Sequence, residues 1–362
     1  MRSRSGPSTS AVNHSTTGTT GRPALRRGIA GLGLGLAGAL ALAACSSPAS
    51  GTDPAGDGGE AVALDSVNLI APADPGGGWD QTARAMSQVL TDEDLVGSAP
   101  VENIGGAGGT VGLAALANEQ DPATLMITGL VMVGAVETNA SASRIEDTTP
   151  IARLTEEALV LVVPADSPYE TTEDLVDAIV DEGAAIAVTG GSAGGADHIL
   201  AGMLLVEAGV DAAEVPTTLN YIPNSGGGEA VTMLLGNTVQ AGISGVGEFV
   251  EQIEAGELRA LAVSSPERVE LLADTPTLVE EGYDVELTNW RGVLAPGGIS
   301  EEEQAALTEL VTEMHASGGW TTTLEEKGWS DAFLTGDDFD DFLTSDIAEV
   351  TSTLQTIGLV SQ

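Results

Sequence analysis

Short apolar runs alternate with segments of helical spacing along most of the chain. The first runs of strand length are VNLIA (67–71), PVENI (100–104) and TLMIT (124–128). Between them, residues 79–90 repeat apolar positions at the period of an α-helix, and a further helix is expected around 110–118. Strands that alternate with helices in this way predict a mostly parallel sheet that helices cover on both faces.

A second alternating series follows the long extended segment at 150–169. Its strands are predicted at 185–190, 219–223, 239–245 and 258–264, with helices near 172–182, 196–208, 229–235 and 247–255. Another extended segment, at 284–296, then crosses back. Two amphipathic helices, at about 300–316 and 337–357, complete the pattern.

Two series joined by two extended crossings predict two lobes with a cleft between them. We expect lobe 1 to comprise residues 63–155 and 288–362, and lobe 2 to comprise residues 156–287. A folded part of about 300 residues also fits two lobes better than a single core. The predicted class is therefore a two-lobed α/β fold with two crossing strands.

Residues 1–45 have the pattern of a lipoprotein signal peptide. Five arginines and no acidic residue lie in residues 1–27, and a glycine-rich apolar run then leads to Cys45. LAAC (42–45) matches a bacterial lipobox, in which the cysteine becomes the lipidated first residue. The alternative, a membrane-spanning helix, is disfavoured because the run is short for a span. Residues 46–62, rich in Ser, Gly, Pro and Asp, predict a flexible tether between lipid and fold.

The charge of the chain excludes one large class of partners. It has 12 Lys and Arg against 54 Asp and Glu, a formal net charge of −42. Without the five signal-peptide arginines, 7 basic residues remain and the net charge becomes −47. Such a field repels nucleic acid, so no nucleic-acid partner is expected. We interpret the acidity as an adaptation for solubility rather than as a binding surface.

The chain offers little material for catalysis or for metal binding. Cys45 is the only cysteine, and the mature chain has two histidines, His198 and His315. The residues after Lys327 do not continue a P-loop, and the dinucleotide-like GLGLAG (33–38) lies in the signal peptide. We expect no enzymatic activity, no cofactor and no metal site. His198 is expected to be half-buried, with a position in the cleft as the alternative.

Glycine-rich turns recur where predicted strands end and helices begin. They are PGGGWD (75–80), GGAGGT (105–110), GGSAGG (190–195), NSGGGE (224–229) and SGVGE (244–248). In a parallel α/β sheet such turns share one edge, and glycine lets a ligand approach the backbone closely. The following helix presents unpaired N–H groups and the positive end of its dipole. Each turn is therefore a candidate anion receptor made of main chain.

An anion that binds so acidic a protein must overcome its field. At physiological ionic strength the Debye length is about 8 Å, so distant carboxylates are largely screened and short N–H contacts can dominate. The alternative is that the ligand arrives as a divalent-metal complex, for which acidic surroundings are less hostile.

The glycine turns belong to longer segments that occur together in one protein family. These segments include PGGGWDQTAR (75–84), ENIGGAGGTVG (102–112), YIPNSGGGEAVTMLLGN (221–237) and DTPTLVEEGYDVELTNWRGVLAP (274–296). In this order they resemble the substrate-binding proteins of tripartite tricarboxylate transporters, the Bug-type extracytoplasmic solute receptors. The resemblance runs from about Val67 to Pro296 and so covers most of the mature chain.

The resemblance implies a periplasmic-binding fold of the Venus-flytrap, type II-like kind. It implies a monomer outside the cytoplasm, held on the outer face of the cell membrane by the lipid at Cys45. Such a receptor captures a small carboxylate and passes it to membrane permease subunits of a tripartite tricarboxylate transporter.

The resemblance also implies which residues hold the ligand. Main chain and ordered water in the turns of both lobes grip a carboxylate in this family. Carried over by motif, the ligand-binding residues are Gly76, Gly77, Gly78, Trp79, Thr128, Gly129, Gly190, Gly191, Ser192, Ser225, Gly226, Gly227 and Ser244.

The variable positions of the family bear on the ligand. Trp79 and the SGGGEA segment (225–230) are similar to the tricarboxylate-type branch, so citrate is the first candidate. Trp79 has the alternative role of fixing the first helix. Dicarboxylates and aromatic acids are alternative ligands. Two other functions also remain open: a sensor that signals to a membrane kinase, and an enzyme that acts on carboxylates.

Overall fold

A computed structural model describes residues 64–224 and 227–361 of the chain. The predicted signal peptide, lipidation site and tether lie outside these residues, as do Ser225 and Gly226 of the predicted ligand site. Within the described residues, no helix combines the length and the apolar character that crossing a bilayer requires.

The first part of the fold is a parallel group of three strands. In spatial order these are β2 (Val101–Asn103), β1 (Asn68–Ala71) and β3 (Thr124–Gly129). Three helices accompany them: α1 (Gly78–Asp92), α2 (Thr110–Leu116) and α3 (Leu130–Thr138). Helix α1 is amphipathic and places Ala83, Met86 and Leu90, all fully buried, against the sheet.

Two long strands cross the centre of the sheet. They are β4 (Thr149–Pro164) and β9 (Thr288–Ala295), which pair antiparallel with each other. Strand β9 also pairs with β3 and so joins the first parallel group. The extended segments predicted at 150–169 and 284–296 correspond to these two strands.

The second parallel group lies on the other side of β4. Its strands are β7 (Ala241–Gly245), β5 (Ala187–Gly190) and β6 (Asn220–Pro223), in that spatial order. The accompanying helices are α4 (Thr172–Glu182), α5 (Ala196–Glu207), α6 (Val215–Thr218), α7 (Gly227–Leu235) and α8 (Val246–Glu254). Two further strands, β8 (Leu258–Val263) and β10 (Ser330–Thr335), pair with β4.

Within the part of the chain that the structure describes, ten strands form one sheet in the order β2-β1-β3-β9-β4-β7-β5-β6, with β8 and β10 attached to β4. The expectation of a mostly parallel sheet is wrong in this detail. Among the described residues four strand pairings are parallel and five are antiparallel. The reason is that the crossing strands run against both parallel groups.

The chain ends in three helices: α9 (Glu301–His315), α10 (Gly318–Lys327) and α11 (Gly336–Thr356). Ser300 and Glu303 form a capping box at the start of α9. Helix α11 packs against α3 and β4, far back along the chain. The sequence pattern missed α3 because its residues are apolar around most of the circumference, which removes the helical period.

Candidate ligand-binding site

A cavity of about 350 Å³ lies where the two parallel groups meet the crossing strand β9. Its volume fits a small organic molecule. Residues that follow the carboxyl ends of the parallel strands supply most of its wall, together with two side chains of β9. The wall includes Asp74, Gly78, Trp79, residues 106–109, Gly191, Ser192, Asp197, Asn224, Glu229, Ser244, Glu248, Asn289 and Arg291.

The first glycine turn contributes only its last residues to this wall. The N–H of Gly76 donates to Asp80 at 2.8 Å, and the N–H of Gly77 donates to the carbonyl of Asp74 at 3.1 Å. Both groups are thus used within the turn, and neither glycine lines the cavity. Gly78 and Trp79 open helix α1, and their N–H groups find no acceptor within residues 64–224 and 227–361.

Trp79 is held in place by the second glycine turn. Its indole is 7% exposed, and a Cβ added to Gly109 would lie 2.6 Å from the ring. Gly109 also has a φ of +89°, which suits only glycine. The run from Gly106 to Gly109 lines the cavity. The sequence pattern identified this turn as glycine-rich, but the predicted site did not include it.

Several other predicted residues lie behind the wall rather than in it. Thr128 is fully buried, and its hydroxyl faces the sulfur of Met132 at 3.4 Å. Gly129 is pressed against the backbone of β9, so it is a close-packing position. The same holds for Gly190, where a Cβ would lie 2.8 Å from that of Asp197, and for Gly227, which packs on Glu248.

Gly78, Trp79, Gly191, Ser192 and Ser244 are the predicted residues that the structure brings together in the wall. Of these, Ser244 is already engaged, since its hydroxyl donates to the Glu248 carboxylate.

The wall on the side of the second parallel group is acidic. Asp197 accepts a hydrogen bond from the N–H of Gly191 at 2.5 Å and is 8% exposed. Burial raises the pKa of the Asp197 carboxyl to about 7, and the nearby charges of Glu248 and Glu157 act in the same direction. Burial also raises the pKa of Glu248. Glu229 of α7 adds an exposed carboxylate on this side, and Asp74, which follows β1, adds one on the side of the first parallel group.

The cation in the wall is Arg291 of β9, which the predicted site did not include. Its Nη2 forms an ion pair with Glu157 of β4 at 2.5 Å, and both side chains are almost fully buried. Glu157 also accepts the N–H of Gly247 at 3.0 Å. A sequence signal existed, because Glu157 directly precedes the apolar run ALVLVV (158–163) and Arg291 follows a tryptophan in a predicted strand.

His198 lies outside the cavity lining. Its ring stacks on Tyr221 with centroids 4.1 Å apart, and its Nδ1 accepts the N–H of Gly194 at 3.1 Å. Burial lowers the pKa of His198 to about 4, so the ring is neutral at physiological pH. The stacked pair supports the wall from behind.

In the described part of the chain, no three His, Cys, Asp or Glu side chains are placed to hold a metal ion together. A metal in this cavity would therefore need ligands from the bound molecule as well as from the protein.

The family of the chain can be read from its similarity to known proteins. The tripartite tricarboxylate transporter family receptor matches residues 82–359. The chain belongs to this family. It is therefore a solute-binding receptor and not an enzyme, and receptors of this family are periplasmic proteins that bind small carboxylates and work with transporter permeases.

A curated relative and two solved structures are similar over most of their length. A protein of Agrobacterium vitis from the TAR-I ttuE-ttuC' intergenic region is 32% identical over 266 residues, 70% of this chain and 75% of the relative. MatC of Rhodopseudomonas palustris with bound malate is 22% identical with a TM-score of 0.70, covering 80% of this chain and 98% of MatC. An R. palustris protein with adipate is 22% identical with a TM-score of 0.71, covering 81% and 97%. The predicted periplasmic-binding fold is thus confirmed.

Proposed function

We propose that this receptor captures a citrate-like tricarboxylate and delivers it to the membrane permease of a tripartite tricarboxylate transporter. The observation that carries the proposal is the arrangement at the start of α1. There, Gly78 and Trp79, whose N–H groups are unpaired, line the cavity together with Arg291, and the guanidinium of Arg291 packs against Gly78. Helix N-termini and arginine are the groups that proteins use to hold carboxylates.

The acidic wall bears on the form in which the ligand binds. Four carboxylates, Asp74, Asp197, Glu229 and Glu248, line a cavity that holds one arginine. A free trianion would be repelled by those of the four that are ionised, whereas a citrate complex with a divalent cation carries most of its charge neutralised. We therefore propose that citrate binds as such a complex. Malate and adipate, which two neighbours of the same fold hold, are the alternative ligands to compare.

The proposed mechanism of capture is closure of two lobes around the ligand. Residues 63–155 with 288–362 would form one lobe and residues 156–287 the other, so that β4 and β9 connect them. The cavity draws its wall from both of these segments, which supports this division. Outside the fold, we propose that Cys45 carries the lipid and that the receptor works as a monomer at the outer face of the cell membrane.

The test is a thermal-shift screen of residues 46–362, which leave out the signal peptide and Cys45. Citrate, malate and adipate are compared with and without magnesium or calcium, and an uncharged sugar serves as the control. A ligand at about 100 times its Kd adds about 2.7 kcal/mol to the unfolding free energy, which raises Tm by roughly 5 °C or more. Calorimetry on the hits then gives the affinities.

We expect the largest shift with citrate and a divalent cation together. A shift with malate or adipate but none with citrate would contradict the tricarboxylate assignment and leave the carboxylate receptor intact. A shift with the sugar alone would overturn the carboxylate assignment itself.

A further inference from the structure

Strand β9 contributes two residues to the cavity lining, and some of their buried polar atoms lack protein partners. Asn289 and Arg291 are two residues apart on this strand, so both side chains face the same side, and both line the cavity. Arg291 is 3% exposed, and its Nη2 is paired with Glu157. Its Nε and Nη1, and the Oδ1 of Asn289, have no hydrogen-bond partner within the described residues.

Such a deficit is unusual for a buried guanidinium. Arginine carries five N–H donors, and buried donors in folded proteins are almost always paired. An ion pair through a single nitrogen leaves the other N–H donors of the guanidinium without acceptors. The Nε of Arg153 also lacks a partner, but Arg291 differs in that it lines the ligand cavity, where a bound molecule can supply the missing partners. A carboxylate is the group that matches the planar fork of arginine with two oxygens.

The position of Arg291 adds a second argument. A Cβ added to Gly78 would lie only 2.7 Å from its Nη2, so the guanidinium packs closely against the first residue of α1. An anion at the unpaired N–H groups of Gly78 and Trp79 would therefore also lie close to the arginine. The helix terminus and the guanidinium converge on one place, and both favour negative charge.

We propose that Arg291 binds a carboxylate group of the ligand directly, and that Asn289 hydrogen-bonds a second polar group of the same molecule. This inference rests on the proposed function, since it names the residues that hold the carboxylate. Glu157 is a positioning residue in this scheme. It fixes Nη2 and aims the rest of the fork at the cavity.

The competing explanation is that Arg291 serves only to neutralise Glu157. The two explanations differ in what happens when the pair is removed as a unit. Replacing Arg291 alone would leave the Glu157 carboxylate buried without a partner, and such a variant can fail to fold. The double variant Arg291→Met, Glu157→Met removes both charges and keeps the volume of the site close to the original.

A matched control exists on β4, the strand that carries Glu157. Arg153 and Glu156 form a second ion pair at 2.6 Å, and neither residue lines the ligand cavity. The double variant Arg153→Met, Glu156→Met removes the same groups next to the proposed contact in the strand but outside the cavity lining. Its affinity should match that of the wild type.

The experiment measures citrate, malate and adipate by calorimetry, each with and without magnesium, on the wild type and both double variants. Circular dichroism and the Tm without ligand establish that each variant is folded. Loss of one charge-assisted contact should weaken binding by about 10- to 100-fold in Arg291→Met, Glu157→Met. Glu157→Gln should tighten binding a few-fold, because one negative charge near the bound carboxylate disappears. Asn289→Leu should weaken it by roughly tenfold.

Equal affinity in the wild type and in Arg291→Met, Glu157→Met would overturn the inference and leave the carboxylate receptor standing. A comparable loss in Arg153→Met, Glu156→Met would overturn it as well, since the effect would then follow from any lost pair. Absence of binding of all three carboxylates to the wild type would overturn the proposed function, and this inference with it.

Discussion

The two sides of the ligand cavity differ in the kind of charge they present. The side that we name the turn wall consists of Gly78, Trp79 and Arg291, and these three residues contribute N–H donors, with the exposed Asp74 carboxylate nearby in the turn. The side that we name the acid wall consists of Asp197 and Glu248, both carboxylates whose pKa values burial raises. A site for a simple anion would be positive on both sides. This one instead distinguishes the two ends of its ligand, because each wall attracts what the other repels.

The largest expected effect concerns the acid wall, and it is a change in how the unfolding free energy of the protein depends on pH. The Asp197 carboxyl has a pKa of about 7 in the folded protein against 3.8 ordinarily. Between these values the folded chain holds a proton that the unfolded chain has released, so the unfolding free energy falls as pH rises from about 4 to about 7. In Asp197→Asn this loss disappears, and the variant should gain at most about 4 kcal/mol relative to the wild type by pH 8.

Urea unfolding at pH 4, 6 and 8 measures this difference. The unfolding free energies of the variant and the wild type should be nearly equal at pH 4. As the pH rises, that of the variant should exceed that of the wild type by a growing amount. A constant difference at all three pH values would show that Asp197 does not titrate in this window.

The turn wall can be disturbed by a single methyl group. Gly78→Ala places a Cβ 2.7 Å from the Nη2 of Arg291, which must then move away from the ligand. We expect the affinity for citrate to fall by roughly tenfold, about 1.4 kcal/mol, and the Tm to fall as well, because the displaced Nη2 is the nitrogen that pairs with Glu157. Gly318→Ala is the matched control, because Gly318 also opens a helix and an added Cβ meets no atom within 4 Å. If both variants bind citrate alike, the approach at Gly78 is not part of the site.

The smallest expected effect concerns the cation that we assign to the acid wall. In Glu248→Gln one carboxylate of that wall becomes neutral, so free citrate is repelled less and a divalent cation is attracted less. The factor by which magnesium improves citrate binding should fall by roughly threefold, about 0.6 kcal/mol. Glu251→Gln, on the same helix but outside the cavity lining, should leave the factor unchanged. If the factor is unchanged in Glu248→Gln, the acid wall does not contribute to the effect of magnesium on citrate binding.

Much of the fold was accessible from the sequence because its signals are local. Strands such as 67–71 and helices such as 79–90 carry their period within a few residues, and the glycine turns lie between them. Helix α3 was missed since it is apolar on nearly every side. The antiparallel pairings were missed since they join segments far apart in the chain.

The candidate site was harder to predict from the sequence, because its contacts also join segments that are far apart in the chain. Trp79 and Ser192 could be assigned by motif, but Arg291 and Glu157 are 134 residues apart, and nothing local says that they touch. The sequence also could not reveal that the N–H groups of Gly76 and Gly77 are used within their own turn. Both facts depend on which backbone approaches which, and that is decided by tertiary packing.

The length of β4 has a consequence for how this receptor can change by insertion or deletion. Its first half pairs with β9 and its second half with β7 and β8, without a break at the change of partner. Side chains along a strand alternate between its two faces, so one residue inserted after Glu157 would turn every later side chain of β4 to the opposite face. Leu159 and Leu161 would leave one core cluster, and Val160 and Val162 the other. The register of β4 must therefore be kept, so we expect insertions and deletions in exposed turns rather than within this strand.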